Sequence, residues 1–161
     1  MKVIEKIPTM NDNQLSVLFA NATDMILRKK NLEDASLVIK AIQKEWQLRL
    51  NDFKKGSYKA DSPEQGVLKT IGYKVGNEGL SKSKRHFLLD YIIQEVLPPV
   101  GSPAHMAEWG VPKSKTRYKK LHRVIRVLAS GAISMGNMDK AAAEWEDDLG
   151  YIETNWKHSL E

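Results

Sequence analysis

Apolar residues recur every three or four positions along most of the chain, and no segment shows the strict alternation typical of a half-buried strand. Two such segments, at residues 12–29 and about 34–50, follow one another after a short link. Two helices so closely connected are expected to fold back on each other as an antiparallel hairpin. The pattern predicts an all-α protein, a helical bundle of about six or seven helices with this hairpin at its N-terminal end.

The helical pattern is interrupted at residues 51–62, which read NDFKKGSYKADS. Polar stretches that contain glycine are typical of linkers. The chain is therefore predicted to divide into residues 1–57, an N-terminal arm with the helical hairpin, and residues 58–161, a basic helical domain, unless the two form one continuous domain. Residues 1–11 carry no helical stripe and are predicted to be a loose arm.

Capping residues mark the starts of the later helices. Ser62, which is followed by a proline, is predicted to begin a short helix that ends at Gly72. Ser81 is predicted to cap a central, buried helix, and Ser114 a long one. Gly131 lies inside that long helix and is predicted to kink it or to end it.

Composition narrows the class of protein. The chain of 161 residues has no cysteine, which excludes disulfides, a thiol nucleophile and a thiolate metal site. No apolar run approaches the roughly 18 residues of a membrane span, so no membrane association is predicted. With no signal-peptide pattern at the start, these features favour a cytoplasmic protein. The net charge is +5, which is compatible with an anionic partner or with simple solubility.

The strongest charge feature is the segment 111–127, which holds seven lysines and arginines and no acid. At 100° per residue, Lys115, Lys119, Arg123 and Arg126 share one arc of the predicted helix, with Lys120 at its edge. The opposite face is apolar and is predicted to pack, through Tyr118, Leu121, Ile125 and Leu128. A row of cations on one side of a helix can follow the phosphates of a nucleic acid.

This row predicts DNA or RNA as a partner, with further cations just ahead of the row and at the start of the central helix. The predicted binding residues are Lys82, Lys84, Arg85, Lys113, Lys115, Lys119, Lys120, Arg123 and Arg126. An alternative is that the last helix neutralises the row, because its segment 139–153 holds six acids and one lysine. If the two helices pair as a hairpin, the acids could lie beside the bases.

The segment 72–79, GYKVGNEG, is a second candidate site. Glycine-rich turns ahead of a helix can bind phosphate through free backbone N–H groups and the helix dipole. This segment has neither P-loop nor dinucleotide-binding spacing, and no strand precedes it. The pattern therefore favours a helix C-cap followed by a tight turn.

Several short motifs resemble a helical domain family of uncharacterised bacterial proteins. They are GYKVG-x-x-GLS-x-x-x-R-x-x-LL, the later MAEWG-x-P-x-S, and the early LFANA and AIQKEW segments. The resemblance covers most of the chain and implies a bacterial, cytoplasmic origin. No activity is attached to the family, so it implies no functional residue.

An enzyme is not predicted. None of the four histidines forms a His-x-x-x-His or Glu-x-x-His pair, and no nucleophile–base signature is visible, so no catalytic residue, metal or cofactor is expected. The resulting hypothesis is a non-enzymatic helical domain that binds nucleic acid through phosphate contacts. The alternative is a protein–protein interaction or adaptor module. In it, the hairpin at residues 12–50 would supply an apolar groove or a surface for self-association.

Overall fold

The computed structural model of the chain describes residues 2–61 and 65–160. These residues form eight α-helices and one 3₁₀-helix and contain no strand, which confirms the predicted all-α helical bundle. In chain order the α-helices are α1 Lys2–Lys6, α2 Asp12–Leu27, α3 Leu32–Lys54, α4 Val67–Ile71, α5 Lys82–Gln94, α6 Pro103–Ala107, α7 Lys115–Met135 and α8 Asp139–Trp156. Within the described ranges, no helix is long and apolar enough to cross a membrane.

The prediction of a loose arm at residues 1–11 is wrong. Residues 2–6 form α1, and the 3₁₀-helix Ile7–Thr9 follows it directly. Ile7 is only 2% exposed, because this segment packs against α3. A single buried isoleucine is too weak a pattern to be recognised as a helix in the sequence. This extra helix is why the described residues hold one more than the six or seven predicted.

In the hairpin of α2 and α3, α2 begins at Asp12, as predicted, and ends at Leu27, two residues before the predicted end. Asn11 is the N-cap of α2, and its side chain accepts a hydrogen bond from the Gln14 amide while the Gln14 side chain accepts from the Asn11 amide. This reciprocal capping box leaves Asp12 available for Arg49, whose Nη1 lies 3.0 Å from the Asp12 carboxylate. α3 runs to Lys54, beyond the predicted end near residue 50, because Phe53 continues its buried stripe.

The start of the next helix was predicted at Ser62, and residues 62–64 lie outside the described part of the chain. The described helix α4 begins at Val67 and ends at Gly72, whose φ of +97° is the left-handed conformation that glycine adopts without strain.

Contacts group the chain into two units. Unit 1 comprises Met1–Gly72 and Val96–Met106, and unit 2 comprises Tyr73–Glu95 and Ala107–Glu161. In unit 1 the core contains Phe19 of α2 against Trp46 of α3, with ring centroids 5.2 Å apart. The predicted boundary between residues 57 and 58 stays a prediction.

Unit 2 is built on α5, α7 and α8, which pack on one another. Its core combines fully buried aliphatic side chains with Tyr73 stacked on Trp145, whose ring centroids are 5.1 Å apart. The predicted caps are present, because the Ser81 and Ser114 hydroxyls accept hydrogen bonds from the amides of Lys84 and Arg117. α7 and α8 are joined by only three residues, 136–138, and form a hairpin.

Gly131 does not end α7, which was one of the two predicted outcomes. The helix continues through it to Met135, and it is Gly136, with a φ of +72°, that ends it. The two glycines differ because a helix interior tolerates glycine at a modest cost, whereas a left-handed C-terminal position favours it.

Candidate nucleic-acid interface

One side of α7 carries a row of exposed cations. Lys115, Lys119, Arg123 and Arg126 are all exposed, and their spacing keeps them within an arc of about 80°. At 1.5 Å per residue the row is about 16 Å long. With Lys113, which is also exposed and lies just before the helix, we call these five residues the basic face.

Lys113 is held in place by its backbone. Its φ of +63° is unusual for a residue with a side chain, and its amide donates a 2.8 Å hydrogen bond to the Ile93 carbonyl near the end of α5. The turn ahead of α7 is fastened further by Ser114, whose hydroxyl donates to the Val111 carbonyl at 2.7 Å. The basic face therefore starts from a fixed turn.

The acids of α8 do not neutralise the basic face. Three of them, Glu144, Asp147 and Asp148, form ion pairs with residues of α5. A fourth, Glu153, lies 3.4 Å from His122 of α7, which is outside the basic face. Within the described residues, no residue of the basic face has a carboxylate within 4.0 Å of its charged nitrogen.

Arg85, one of the predicted binding residues, is an internal residue. It is 3% exposed, and its Nε donates to Asp148 at 2.9 Å while its Nη1 donates to Glu144 at 2.8 Å. Burial lowers the pKa of Arg85, but the hydrogen bonds and charges of these acids outweigh it and raise the pKa overall. Since the guanidinium is enclosed by carboxylates, Arg85 is not part of an exposed cationic surface.

The other three predicted residues are partly engaged. Lys82 is exposed, and its ammonium lies 3.4 Å from the Asp147 carboxylate. Lys84 is half-buried in the first turn of α5. Lys120 is half-buried, lies 3.6 Å from a Glu108 oxygen, and stands 5.9 Å from the centre of the Trp109 ring.

A buried carboxylate, that of Asp148, organises this part of unit 2. It is fully buried and accepts hydrogen bonds from Arg85 and from the Tyr73 hydroxyl, and His86 Nε2 lies 3.0 Å from it. Burial, together with this hydrogen bond, raises the pKa of Tyr73 well above its ordinary value. The His86 ring also stacks on Tyr151 at a centroid distance of 3.8 Å. The side chains of Tyr73, Arg85 and His86 thus converge on α8.

His86, Asp147 and Asp148 place three ligand atoms within 4.8 Å of one another, as a metal site would. Sequence reasoning missed this trio, because His86 is distant along the chain from the two acids. Both Asp148 oxygens already accept hydrogen bonds from the Arg85 guanidinium, at 2.9 and 3.2 Å. A cation bound there would lie beside that guanidinium and compete with it, so the trio is explained by internal ion pairing.

The glycine-rich segment forms a tight turn. Gly79 donates to the Gly76 carbonyl at 3.0 Å, and Leu80 donates to the Lys74 carbonyl at 3.1 Å. A Cβ on Gly79 would lie 2.6 Å from the Val75 carbonyl carbon, so the turn leaves no room for a side chain there. The Gly76 amide, which a phosphate would need, donates to the Glu144 carboxylate at 2.7 Å. This amide is therefore occupied by the carboxylate of Glu144 and is not available to an external phosphate.

Arg117 is the one cation of segment 111–127 that sequence analysis did not assign to binding or packing. It is 3% exposed and donates to four backbone carbonyls, those of Ile92, Glu95, Trp109 and Gly110. Burial lowers the pKa of Arg117 to about 10. Its guanidinium satisfies carbonyls at the end of α5 that have no partner within the helix.

The apolar side of α7 also differs from expectation at one residue. Leu128 was predicted to pack with the core, but it is 40% exposed, and its neighbour Val127 is 63% exposed. Both residues line an open groove between α7 and the start of α8.

Comparison with known proteins adds no assignment. No protein-family model, no curated protein and no solved structure matches this chain. The resemblance to a bacterial domain family therefore stays a prediction.

Proposed function

We propose that this chain binds nucleic acid without catalysis, through phosphate contacts made by the basic face of α7. The observation that carries the proposal is the division of charges in unit 2. The acids of α8 pair mainly with α5, and the five cations of the basic face have no carboxylate within 4.0 Å among the described residues. Their charge is therefore available to an external anion.

The geometry suits a nucleic-acid backbone. The row from Lys115 to Arg126 is about 16 Å long, which is the length of about five base pairs at 3.4 Å each. The cations sit on a helix that is capped at Ser114 and anchored at Lys113, so they are spaced by a rigid element. Contacts to phosphate position a protein without reading bases, so we expect little preference for sequence.

The proposal is tested by fluorescence anisotropy of labelled duplex DNA and single-stranded RNA over a series of salt concentrations. Five phosphate contacts predict that log K falls with log[salt] with a slope of about −4.5 on duplex DNA. The variant changes Lys115, Lys119, Arg123 and Arg126 to glutamate, and it should lose binding. All four positions are exposed, and a glutamate at position 115, in the first turn of α7, is favourable to the helix dipole, so the variant is expected to fold.

A control variant with the same net charge distinguishes binding at the basic face from attraction of nucleic acid by the net charge of the whole protein. It changes Lys40, Lys44, Lys54 and Lys59, all exposed in unit 1, to glutamate. Both variants carry a net charge of −3, since four changes each remove two charges from +5. Equal loss of binding in both variants, or no binding by the unmodified chain at low salt, would contradict the proposal.

A second candidate is the protein-interaction module, with the hairpin of α2 and α3 as its surface. Leu37 and Leu48 of α3 are 45% and 51% exposed and lie eleven residues apart, which places them on one face. Changing both leucines to aspartate tests it. Self-association that is lost in this variant would support the hairpin surface, and unchanged association would exclude it. A cytoplasmic site of action belongs to both candidates and is supported by the lack of cysteine.

A further inference from the structure

A second surface of unit 2 lies on a different side of α7. The C-terminal half of α7, the start of α8 and the turn at residues 75–78 enclose an open, mainly apolar groove of about 1110 Å³. Its apolar lining comprises Val75, Val127, Leu128, Met135, Met138 and Trp145. Val127 and Met135 are 63% and 65% exposed. An apolar surface that is contiguous and exposed marks an interaction site more often than scattered apolar residues do.

Gly131 lies in this groove and has no role that the chain itself explains. Its φ is not in the left-handed region, and a Cβ built on it would meet nothing within 4 Å. Glycine in a helix interior is less favourable than alanine. A glycine on an exposed, apolar helix surface does allow another backbone to approach closely.

The groove side of α7 forms one ridge. Val127, Gly131 and Met135 are spaced four residues apart, and side chains at this spacing form the ridges that pack between helices. Arg123 lies four residues before the ridge on α7. α7 ends at Met135, and beyond this end the first turn of α8 places Asp139 and Lys140 in the lining of the groove.

This order makes the ridge complementary to itself. Suppose that two copies of α7 pack antiparallel and cross at Gly131. A residue that lies n positions before Gly131 in one copy then faces the residue that lies n positions after Gly131 in the other copy. Val127 then faces Met135 of the second copy, and Arg123 lies toward the end of the groove that Asp139 of the second copy lines. A two-fold interface requires such a patch, one that is complementary to its own image.

We propose that a second copy of this chain occupies the groove, with the two α7 helices antiparallel and crossing at Gly131. The ridge is about 120° around α7 from the centre of the basic face. Lys115 and Lys119 thus stay exposed in the dimer. The proposed dimer can be tested independently of the proposed function, because the mass of the protein is measured without nucleic acid.

The first test is the mass of the protein by sedimentation velocity over a dilution series. The variant changes Val127 and Met135 to aspartate, and the control changes Val111 and Ile133, two exposed apolar residues outside the groove lining, to aspartate. Each pair is exposed, so neither variant should unfold, which circular dichroism checks. We expect a dimer that dissociates in the groove variant only. A monomer at all concentrations, or a dimer that persists in the groove variant, overturns the proposal, even if the groove binds an apolar molecule or another helix.

The second test determines which residues of the two copies face each other. Because the chain has no cysteine of its own, any disulfide must form between introduced cysteines. A Val127→Cys/Met135→Cys double variant should form a disulfide-linked dimer with oxidised glutathione, because each cysteine faces the other in the second copy. Within one helix the two are about 12 Å apart along the axis, too far to bridge. Each single variant should cross-link much less. Equal cross-linking by the single variants, or none by the double variant, contradicts the antiparallel pairing.

A third comparison isolates Gly131. Gly131→Ala should weaken the dimer, because its methyl group lies at the crossing. Gly150→Ala is the matched control, since Gly150 is also an exposed helical glycine with nothing within 4 Å of an added Cβ. Equal dimer affinity in both alanine variants would show that the two helices do not cross at Gly131.

Discussion

Arg85 of α5 and Asp148 of α8 form a two-point ion pair in the interior of unit 2. Nε and Nη2 of the arginine lie 2.9 and 3.2 Å from the two carboxylate oxygens. The side chains are 4% and 0% exposed, so the pair is almost entirely removed from solvent. The bond connects residues 63 positions apart in the chain and fixes α8 with its acids toward α5. It thereby leaves the basic face of α7 without those acids.

We expect Asp148→Asn to destabilise the protein by about 1.5–3 kcal/mol, because it removes the charge of the fully buried acceptor of two Arg85 hydrogen bonds, while Glu144 stays paired with the guanidinium. The neighbouring Asp147→Asn is the control. Asp147 is 41% exposed on its side chain, and we expect a loss below about 1 kcal/mol. Urea unfolding followed by circular dichroism measures both changes. Similar losses in the two variants would show that the buried pair is not the main support of this contact.

Single neutralisations should separate the basic face from the cations that pair internally. Lys119→Gln is expected to reduce the salt slope of duplex binding by about 0.9, the value for one phosphate contact. Lys82→Gln should leave the slope nearly unchanged, because its ammonium lies 3.4 Å from Asp147. Anisotropy titrations at several salt concentrations give both slopes. If Lys82→Gln reduced the salt slope more than Lys119→Gln did, the nucleic-acid interface would lie at the start of α5 and not on the basic face.

Alkaline pH should destabilise the protein through its tyrosines. Burial and a hydrogen bond to Asp90 raise the pKa of Tyr151 to about 12, and the pKa values of Tyr58 and Tyr73 are also raised. Between pH 10 and 12 the unfolded chain loses these protons while the folded chain keeps them. The contribution of these tyrosines to the free energy of unfolding is therefore constant below pH 10 and falls above it.

Absorbance at 295 nm, which reports ionised tyrosine, tests this pH dependence directly. The folded protein should titrate later than the chain in denaturant. Tyr151→Phe should make the fall in unfolding free energy between pH 10 and 12 shallower. Coincident titration curves for the folded and unfolded protein would contradict the raised pKa values.

Arg117 is expected to resist even a conservative change. Arg117→Lys keeps the charge but cannot donate to all four carbonyls that the guanidinium reaches. Because each buried acceptor without a donor costs about 1–3 kcal/mol, we expect a loss of at least about 2 kcal/mol. Arg28→Lys, at an exposed position, should stay within about 0.5 kcal/mol of the unmodified protein. Urea unfolding gives both values, and equal stabilities would contradict the structural role of Arg117.

Much of the candidate site was predictable from local sequence. The arc of Lys115, Lys119, Arg123 and Arg126 follows from the helical repeat, and the cap at Ser114 follows from its residue type. The acidic character of α8 was also visible, but the direction of its acids was not. That direction depends on partners such as Arg85, which lies on another helix far away in the chain.

The exposure of the apolar residues along the groove could not be predicted from local sequence either. Leu128 fitted the apolar stripe of α7 by its spacing, yet it is 40% exposed. Gly131 was expected to kink or end the helix, but its neighbours on both sides keep helical hydrogen bonding. Periodicity gives the angular position of a side chain on its own helix, whereas exposure depends on which other elements cover that angle.

The sequence by itself determined that the chain is all helical, where most of its long helices run, and that one side of α7 is cationic. These properties arise from residues within a few turns of one another, so local spacing and capping suffice. Only the tertiary structure decided that the acids of α8 pair mainly with α5, that Arg85 and Arg117 are internal, and that an apolar ridge of α7 is exposed. Each of these depends on distances between side chains that are remote in the sequence, because ion pairing and burial act through space.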